Sequence, residues 1–409
     1  MKILYLHQYF RTPNEGGAIR SYYLAKALVE KGFDVEVITS CNGPEDRFEI
    51  IDGIKVHYLS VFYDNSQGFV GRVSSFLKFV YKCYKKASSI SNVDVCYATS
   101  TPLTIGLISL RLKKKHNIPY YFEVRDLWPE APIQMDVVRN PVLKKFLFKL
   151  ERDIYKNAQR LIALSPGIRD GIEKSLGIEK PIYILPNISD CDFFRPEAKN
   201  PEVENKFNVK DKFVVSYFGA IGKVNHLEFM IDAITACQNK NLNQVHFLIA
   251  GKGSEVDRIQ KLAADRNLKN VTFLGFHNKE GIKEILNVSD AAYISFADKP
   301  ILETNSPNKF FDAIAAGKLC IVNSKGWIKE MIEQKECGFY ADPYNPNEFI
   351  SKLEKFLDDR SKLLLFQANS RKLAETYFSR AVQTERFVKL FSKEEKLDSI
   401  LASVYTLTA

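Results

Sequence analysis

The sequence has no uninterrupted run of about 20 apolar residues, the length a membrane-spanning helix needs. It also has no C-x-x-C pair. Its seven cysteines, at 41, 83, 96, 191, 237, 320 and 337, are odd in number, lie mostly in apolar runs and show no metal-ligand spacing. They read as reduced core residues of a cytoplasmic protein, with no metal centre and no disulfide framework expected. Neither G-x-G-x-x-G nor a P-loop is present: the run from Pro13 to Ala18 is PNEGGA, and Gly251-Lys252-Gly253 lacks the third glycine. A nicotinamide cofactor is therefore not expected, nor is any other resident cofactor. There is no nucleophile elbow and no His/Asp/Glu cluster at metal spacing. Basic residues do not interleave with aromatics as they would in a nucleic-acid groove, so no nucleic-acid partner is expected. The N-terminal run Met1-Lys2-Ile3-Leu4-Tyr5-Leu6-His7 is too short to be the apolar region of a signal peptide.

What is present is the composition of a soluble globular protein, 45% hydrophobic and 26% charged. A length of 409 residues suggests two domains. The first half alternates apolar strands with helical segments. Strands are expected at 2–6, 35–39, 56–61, 93–98, 119–124, 161–164 and 182–185, and Thr101-Pro102 and Ser165-Pro166 read as helix starts. A helix is expected at 18–31, ending at Gly32. Prolines and charges at 191–211 mark a linker. A second strand–helix series follows, with strands at 213–218, 246–250, 271–274, 291–296 and 319–323. The expectation is an α/β protein of two Rossmann-like, doubly wound domains facing across a cleft. Domain one spans 1–190 and the second 212–377. Residues 378–409 supply a C-terminal helix that crosses back to the first domain, and a tail.

The most informative segment is Glu303-Thr304-Asn305-Ser306-Pro307-Asn308-Lys309-Phe310-Phe311-Asp312. Pro suits the first position of a helix, where its missing N–H costs nothing. The free N–H groups and the positive end of the dipole then face an anion, and Lys309 adds a full charge. Asp312, three residues on, can accept from a ribose or sugar hydroxyl. An ordinary Ser-Pro cap with a solvated Lys and Asp has the same pattern. Gly16-Gly17, after the first strand, lets backbone approach an anion or simply makes a turn. His7 ends that strand, as a hydroxyl partner, a proton carrier or a satisfied loop residue.

The net charge is +9, and it is unevenly placed. No acid lies between Asp64 and Asp94, whereas Arg72, Lys78, Lys82, Lys85 and Lys86 do. Phe69, Val73, Phe76, Leu77, Val80 and Tyr84 recur there at three- and four-residue steps. Residues 69–86 thus read as a helix lying on an anionic membrane surface, or as a core helix with a basic outer face.

Several segments occur together and in order: His7-Gln8-Tyr9-Phe10 with Pro13 and Gly16-Gly17; Glu123-Val124-Arg125-Asp126-Leu127-Trp128-Pro129-Glu130; Leu164-Ser165-Pro166-Gly167; Leu185-Pro186-Asn187; Ile249-Ala250-Gly251-Lys252-Gly253; Gly275-Phe276; and the 303–312 segment running into Ala315-Ala316-Gly317-Lys318. In this arrangement the chain resembles the retaining glycosyltransferases of family 4, with the GT-B fold. More narrowly it is similar to the branch that extends lipid-linked sugars for bacterial O-antigen, capsule or exopolysaccharide. The resemblance implies a metal-independent hexosyltransferase on the inner face of the membrane, with a nucleotide-sugar donor and a lipid-linked saccharide acceptor. It implies donor contacts at Gly16, Gly17, Lys223, Phe276, Ser306, Lys309 and Asp312, the last binding ribose. His7 is implied as an acceptor or sugar contact, and Arg125, Asp126 and Glu303 as catalytic positions. Three departures from the family pattern stand out. Glu303 lies one residue out of register with the first acid of the E-x-seven-E motif, where this chain has Thr304. The usual phosphate-binding Arg and Lys are Ala220 and Asn225, and a usual His-Asp pair is Arg125-Asp126. A UDP-sugar 2-epimerase and a non-catalytic sugar-nucleotide-binding protein remain as alternatives.

Overall fold

A computed structural model describes residues 1–13, 19–64, 67–178 and 180–392. Gly16 and Gly17, and the tail beyond 392, lie outside the described residues. The contacts divide the chain into two units. The first is Met1–Pro186 with Thr304–Ser306 and the described residues from Gln383 on; the second is Asn187–Glu303 with Pro307–Val382.

The first unit is built on an eight-stranded sheet: β1 (Lys2–Leu6), β2 (Asp34–Cys41), β3 (Arg47–Ile51), β4 (Ile54–Ser60), β5 (Val95–Thr99), β6 (Tyr120–Val124), β7 (Arg160–Ala163) and β8 (Ile182–Ile184). The spatial order is β3-β4-β2-β1-β5-β6-β7-β8, and β3 alone runs antiparallel. Every residue of β5 and β6 is buried, as parallel strands covered on both faces require. The order reverses between β1 and β5, which is where such sheets take ligands, beyond the carboxyl ends of the strands.

The second unit repeats the plan with β9 (Phe213–Ala220), β10 (Val245–Lys252), β11 (Val271–Gly275), β12 (Ala291–Ile294), β13 (Leu319–Val322) and β14 (Gly338–Tyr340). These form an all-parallel sheet in the order β11-β10-β9-β12-β13-β14, with the reversal between β9 and β12. Val215, Tyr217, Phe247, Ile249 and Tyr293 anchor its core. Two Rossmann-like doubly wound domains are thus present, as the strand–helix rhythm predicts.

The helix starts sort out differently from the dipeptides that announce them. Ser165 does cap Pro166–Leu176: its side chain accepts the Ile168 N–H at 3.1 Å. Thr101 does not start a helix. Its φ is +87°, its hydroxyl donates to Asp126 (3.2 Å), and the helix begins later, as Ile105–His116. The helix expected at 18–31 is Arg20–Glu30 among the described residues. Within 191–211, read as a linker, Pro201–Phe207 forms a helix capped by Asn200.

Candidate functional site

Lys309 belongs to the helix Asn308–Ala315, the first α-helix after β12, so its N-terminus lies at the reversal point of the second sheet. Phe310 and Phe311 are fully buried and fix the helix. Phe311 packs edge-on against Phe378 (5.2 Å) and Phe310 against Trp327 (6.1 Å). Burying each ring is worth roughly 1.5–3 kcal/mol. With those two side chains turned inward, Lys309 and Asp312 are left half-buried on the rest of the helix. The start differs from expectation by one residue. Pro307, with ψ of 133°, is the cap rather than the first helical residue, and no side chain caps the helix. Ser306 therefore precedes the cap, where it is half-buried.

The Lys309 ammonium donates to the Tyr217 hydroxyl at 2.8 Å and sits 4.2 Å from the centre of that ring. With the Asn225 amide turned to satisfy both its ends, its oxygen accepts from Lys309 Nζ (3.2 Å) and its nitrogen donates to the Ala220 carbonyl (2.7 Å). Gly219 makes room: a Cβ there would stand 3.4 Å from Lys309 Cε. All of these partners are neutral, and among the described residues no carboxylate pairs with Lys309. Burial without a counter-charge pushes its amine down to about 7. This is a cation with an empty charge account, at a helix N-terminus and a sheet reversal point, and an anion would settle it.

Asp312 lies in a different neighbourhood. Burial pushes its carboxyl up to about 7, with Lys279 opposing and Asp190 reinforcing. Asp190 and Lys279 pair with each other at 2.6 Å. Lys309 and Asp312 therefore share a helix but do not perturb one another. Glu303 is half-buried in a short 3₁₀ helix, Pro300–Thr304, and its charge helps raise the Tyr340 phenol to about 12, after burial, two aspartates and Glu348. Gly326, at φ +95°, lets the chain pass Glu303: a Cβ would fall 2.6 Å from the Glu303 carbonyl oxygen.

Lys223 is exposed on the loop after β9 and takes no part in the Lys309 cluster. Phe276 follows β11 and is 63% exposed, with the Lys252 ammonium 4.5 Å from its ring centre. Lys252, Tyr217 and Asn225 carried no role in the sequence reading. Tyr217 and Asn225 are neutral residues, and nothing in their local pattern points at a lysine nearly a hundred residues away.

In the first unit, the reversal point gathers His7 after β1 and Arg125-Asp126 after β6. His7 is buried and its Nδ1 has no partner among the described residues. Burial, then the charges of Arg125 and Arg20, hold the imidazole well below its usual range, so it is neutral. The Arg125 N–H donates to Ser100 Oγ (2.9 Å), and burial raises the Asp126 carboxyl against the opposing charge of Arg125. The adjacent Gln8 side chain is fully buried with neither amide end bonded among the described residues. Beneath them lies an ion pair that sequence reasoning missed. Arg20 Nη1 meets the fully buried Glu123 at 2.6 Å, while Nη2 and Nε donate to the carbonyls of Leu185 and Pro186. Thr99 Oγ1 donates to the second Glu123 oxygen (3.1 Å).

Residues 15–193 match the family model described as Glycosyltransferase Family 4, and residues 199–373 the model described as Glycosyl transferases group 1. The chain belongs to the GT-B glycosyltransferases. Among its relatives is the alpha-D-kanosaminyltransferase of Streptomyces kanamyceticus, 22% identical over 63% of this chain and 62% of that one, less than two thirds of its length. Among solved structures, the Anabaena protein HepE in complex with UDP-glucose superposes with a TM-score of 0.68 at 17% identity, covering 96% of this chain and 100% of that one. WaaG, a glycosyltransferase involved in lipopolysaccharide biosynthesis, gives 0.70 at 15% identity over 96% and 100%. Asn225, where the family resemblance led us to expect a lysine, bonds Lys309 in this GT-B chain.

Proposed function

We propose that the protein transfers a sugar, with retention at the anomeric carbon, from a nucleotide-sugar donor to a lipid-linked saccharide acceptor in bacterial surface-polysaccharide synthesis. The observation that carries this reading is Lys309, a cation with only neutral partners at an uncapped helix start. It suits the diphosphate of a donor such as the UDP-glucose held by HepE. The bond from anomeric carbon to phosphate oxygen breaks, and the nucleoside diphosphate leaves with the electron pair. The acceptor oxygen bonds to the same face of the carbon, and its proton leaves with the diphosphate. Pre-aimed N–H groups and Lys309 hold the growing charge. Asp312 takes the ribose hydroxyls, Phe276 the base, and Glu303 the donor sugar, while Lys223, Ser306 and the Gly16-Gly17 loop line the donor. Arg125, Asp126 and neutral His7 orient the sugar and acceptor. No resident metal or cofactor is needed for these steps.

A lipid-linked acceptor places the protein on the cytoplasmic face of the membrane, with the helix Phe69–Ala87 against anionic lipid. No helix among the described residues is long and apolar enough to cross. The lipopolysaccharide role in WaaG's name supports the surface-polysaccharide setting. To test this, the protein is incubated with bacterial membranes and a panel of labelled sugar nucleotides. Label in the lipid extract is the expected result. Epimerised donor without lipid label would identify an epimerase, and donor binding without turnover a non-catalytic binder.

A further inference from the structure

The helix Phe69–Ala87 is one of three that lie edge to edge over one face of the first unit's sheet. It packs beside Ile105–His116, which packs beside Pro141–Asn157. Residues 69–87 hold five Lys or Arg, 105–116 four and 141–150 three, against no Asp or Glu in any of them. The first helix has two apolar sides. Phe79, Val80, Cys83 and Ala87 are buried against the core, whereas Leu77 and Tyr81 are 55% and 69% exposed, in line with Val73. The third helix enters the core only from Leu150 onward. Its first two turns stand clear, with Val142 76% and Phe146 59% exposed beside Lys145 and Lys149.

We propose that these three helices form a single docking face for a bilayer carrying anionic phospholipid headgroups. Helix 69–87 and the first turns of helix 141–157 both insert apolar side chains, and the lysines of all three meet the headgroups. This rests on the membrane reading above for its setting and widens it from one helix to three. Scattered surface apolar residues are ordinary. Here, though, they recur at i, i+4 on two helices, within stretches that hold no acid; Glu151 and Asp153 come only further along the third helix, where it has entered the core. That combination matches the two strata of a membrane surface, phosphate outside and hydrocarbon beneath. A nucleic acid would use the charge alone and leave the exposed Leu, Val and Phe without purpose.

The test is sedimentation of the full chain with vesicles of phosphatidylcholine, with and without phosphatidylglycerol. Binding to the mixed vesicles at low salt and release at high salt are expected. Lys145→Ser with Lys149→Ser should weaken binding by about thirtyfold, at roughly fivefold per lysine near an anionic surface. Val142→Ser with Phe146→Ser, and Leu77→Ser with Tyr81→Ser, should each weaken it as well, with thermal unfolding unchanged. If the variants on helix 141–157 bind as wild type while the Leu77/Tyr81 pair fails, the three-helix face is wrong and the single-helix contact stands. Binding to transfer RNA but not to vesicles would overturn both. Intact vesicle binding without sugar transfer to lipid would sink the proposed function and leave this face standing.

Discussion

Lys309 is held by a phenol and an amide, so removing its charge should cost activity without costing the fold. We expect Lys309→Met to lower turnover by about a hundred- to a thousandfold, the usual loss for one charge-stabilising donor. Its thermal stability without donor should equal or exceed that of the parent, and a lower melting temperature would refute this. The depressed amine also predicts proton uptake. At pH 8 Lys309 is largely neutral in the free protein, because burial holds it near 7. A diphosphate alongside favours the charged form, so UDP binding should draw in a proton. Calorimetry in buffers of differing ionisation enthalpy would detect it; no uptake in the wild type, or equal uptake in Lys309→Met, would contradict the assignment. Asp312 has the opposite sign. Its folded carboxyl binds protons more tightly than the unfolded one, so its contribution is favourable at low pH and is lost as pH rises from the ordinary carboxylate range through about 7. Asp312→Asn should therefore raise the melting temperature at pH 8 and leave it nearly unchanged at pH 4. Both residues stand out in the sequence, but the neutrality of the Lys309 cluster did not, since its partners come from β9 and the loop after it, far along the chain.

At the scale of elements, close backbone approach and one buried ion pair set the geometry around the two reversal points. A Cβ at Gly251 would lie 1.9 Å from the Gly219 carbonyl oxygen on the neighbouring strand. Gly251→Ala must push β9 and β10 apart beneath the Lys309 cluster. We expect a loss of at least about 1–3 kcal/mol in chemical unfolding, the range for overpacking, together with weaker donor binding. The Arg20–Glu123 pair ties the helix Arg20–Glu30 to β6 and to the chain after β8. Breaking it from one side leaves an uncompensated buried charge, at about 3–5 kcal/mol. Arg20→Met should be that costly, and Arg20→Met with Glu123→Leu should recover most of the loss; a double variant as unstable as the single would show that the pair is not the source. Three Ser-Pro or Thr-Pro dipeptides looked alike as helix starts, yet only Ser165-Pro166 fits as expected. The local code permits a cap at each, and the carboxylate that captures Thr101 is decided by the sheet. In the same way, periodicity identified helix 69–87, but its apolar stripe divides between a buried side and an exposed one.

At the scale of the molecule, the first unit is completed by a distant piece of chain. Phe387 is fully buried against Tyr97 (4.9 Å, edge-on) and lies 6.4 Å from Tyr5, and Phe391 packs on Tyr121. Arg160 donates to the Leu390 carbonyl. Phe387→Ala should destabilise the first unit by about 3–5 kcal/mol, the usual range for a buried Phe. Residues 1–186 alone should aggregate or unfold, and regain a cooperative melt when 383–392 are supplied as a peptide. A stable, cooperative melt of 1–186 by itself would refute this.

Local pattern was enough to establish two α/β sheets, parallel but for β3, the place of the 303–312 segment behind β12, and the family, because strand burial and helix starts are written in neighbouring residues. It also singled out Lys309. Tertiary structure alone decided that Lys309 has no counter-charge, that Asp312 answers to Asp190 and Lys279, and that Arg20 lies against Glu123. Those facts depend on residues brought together from far apart in the chain, whose burial and charge exist only once the sheets have formed.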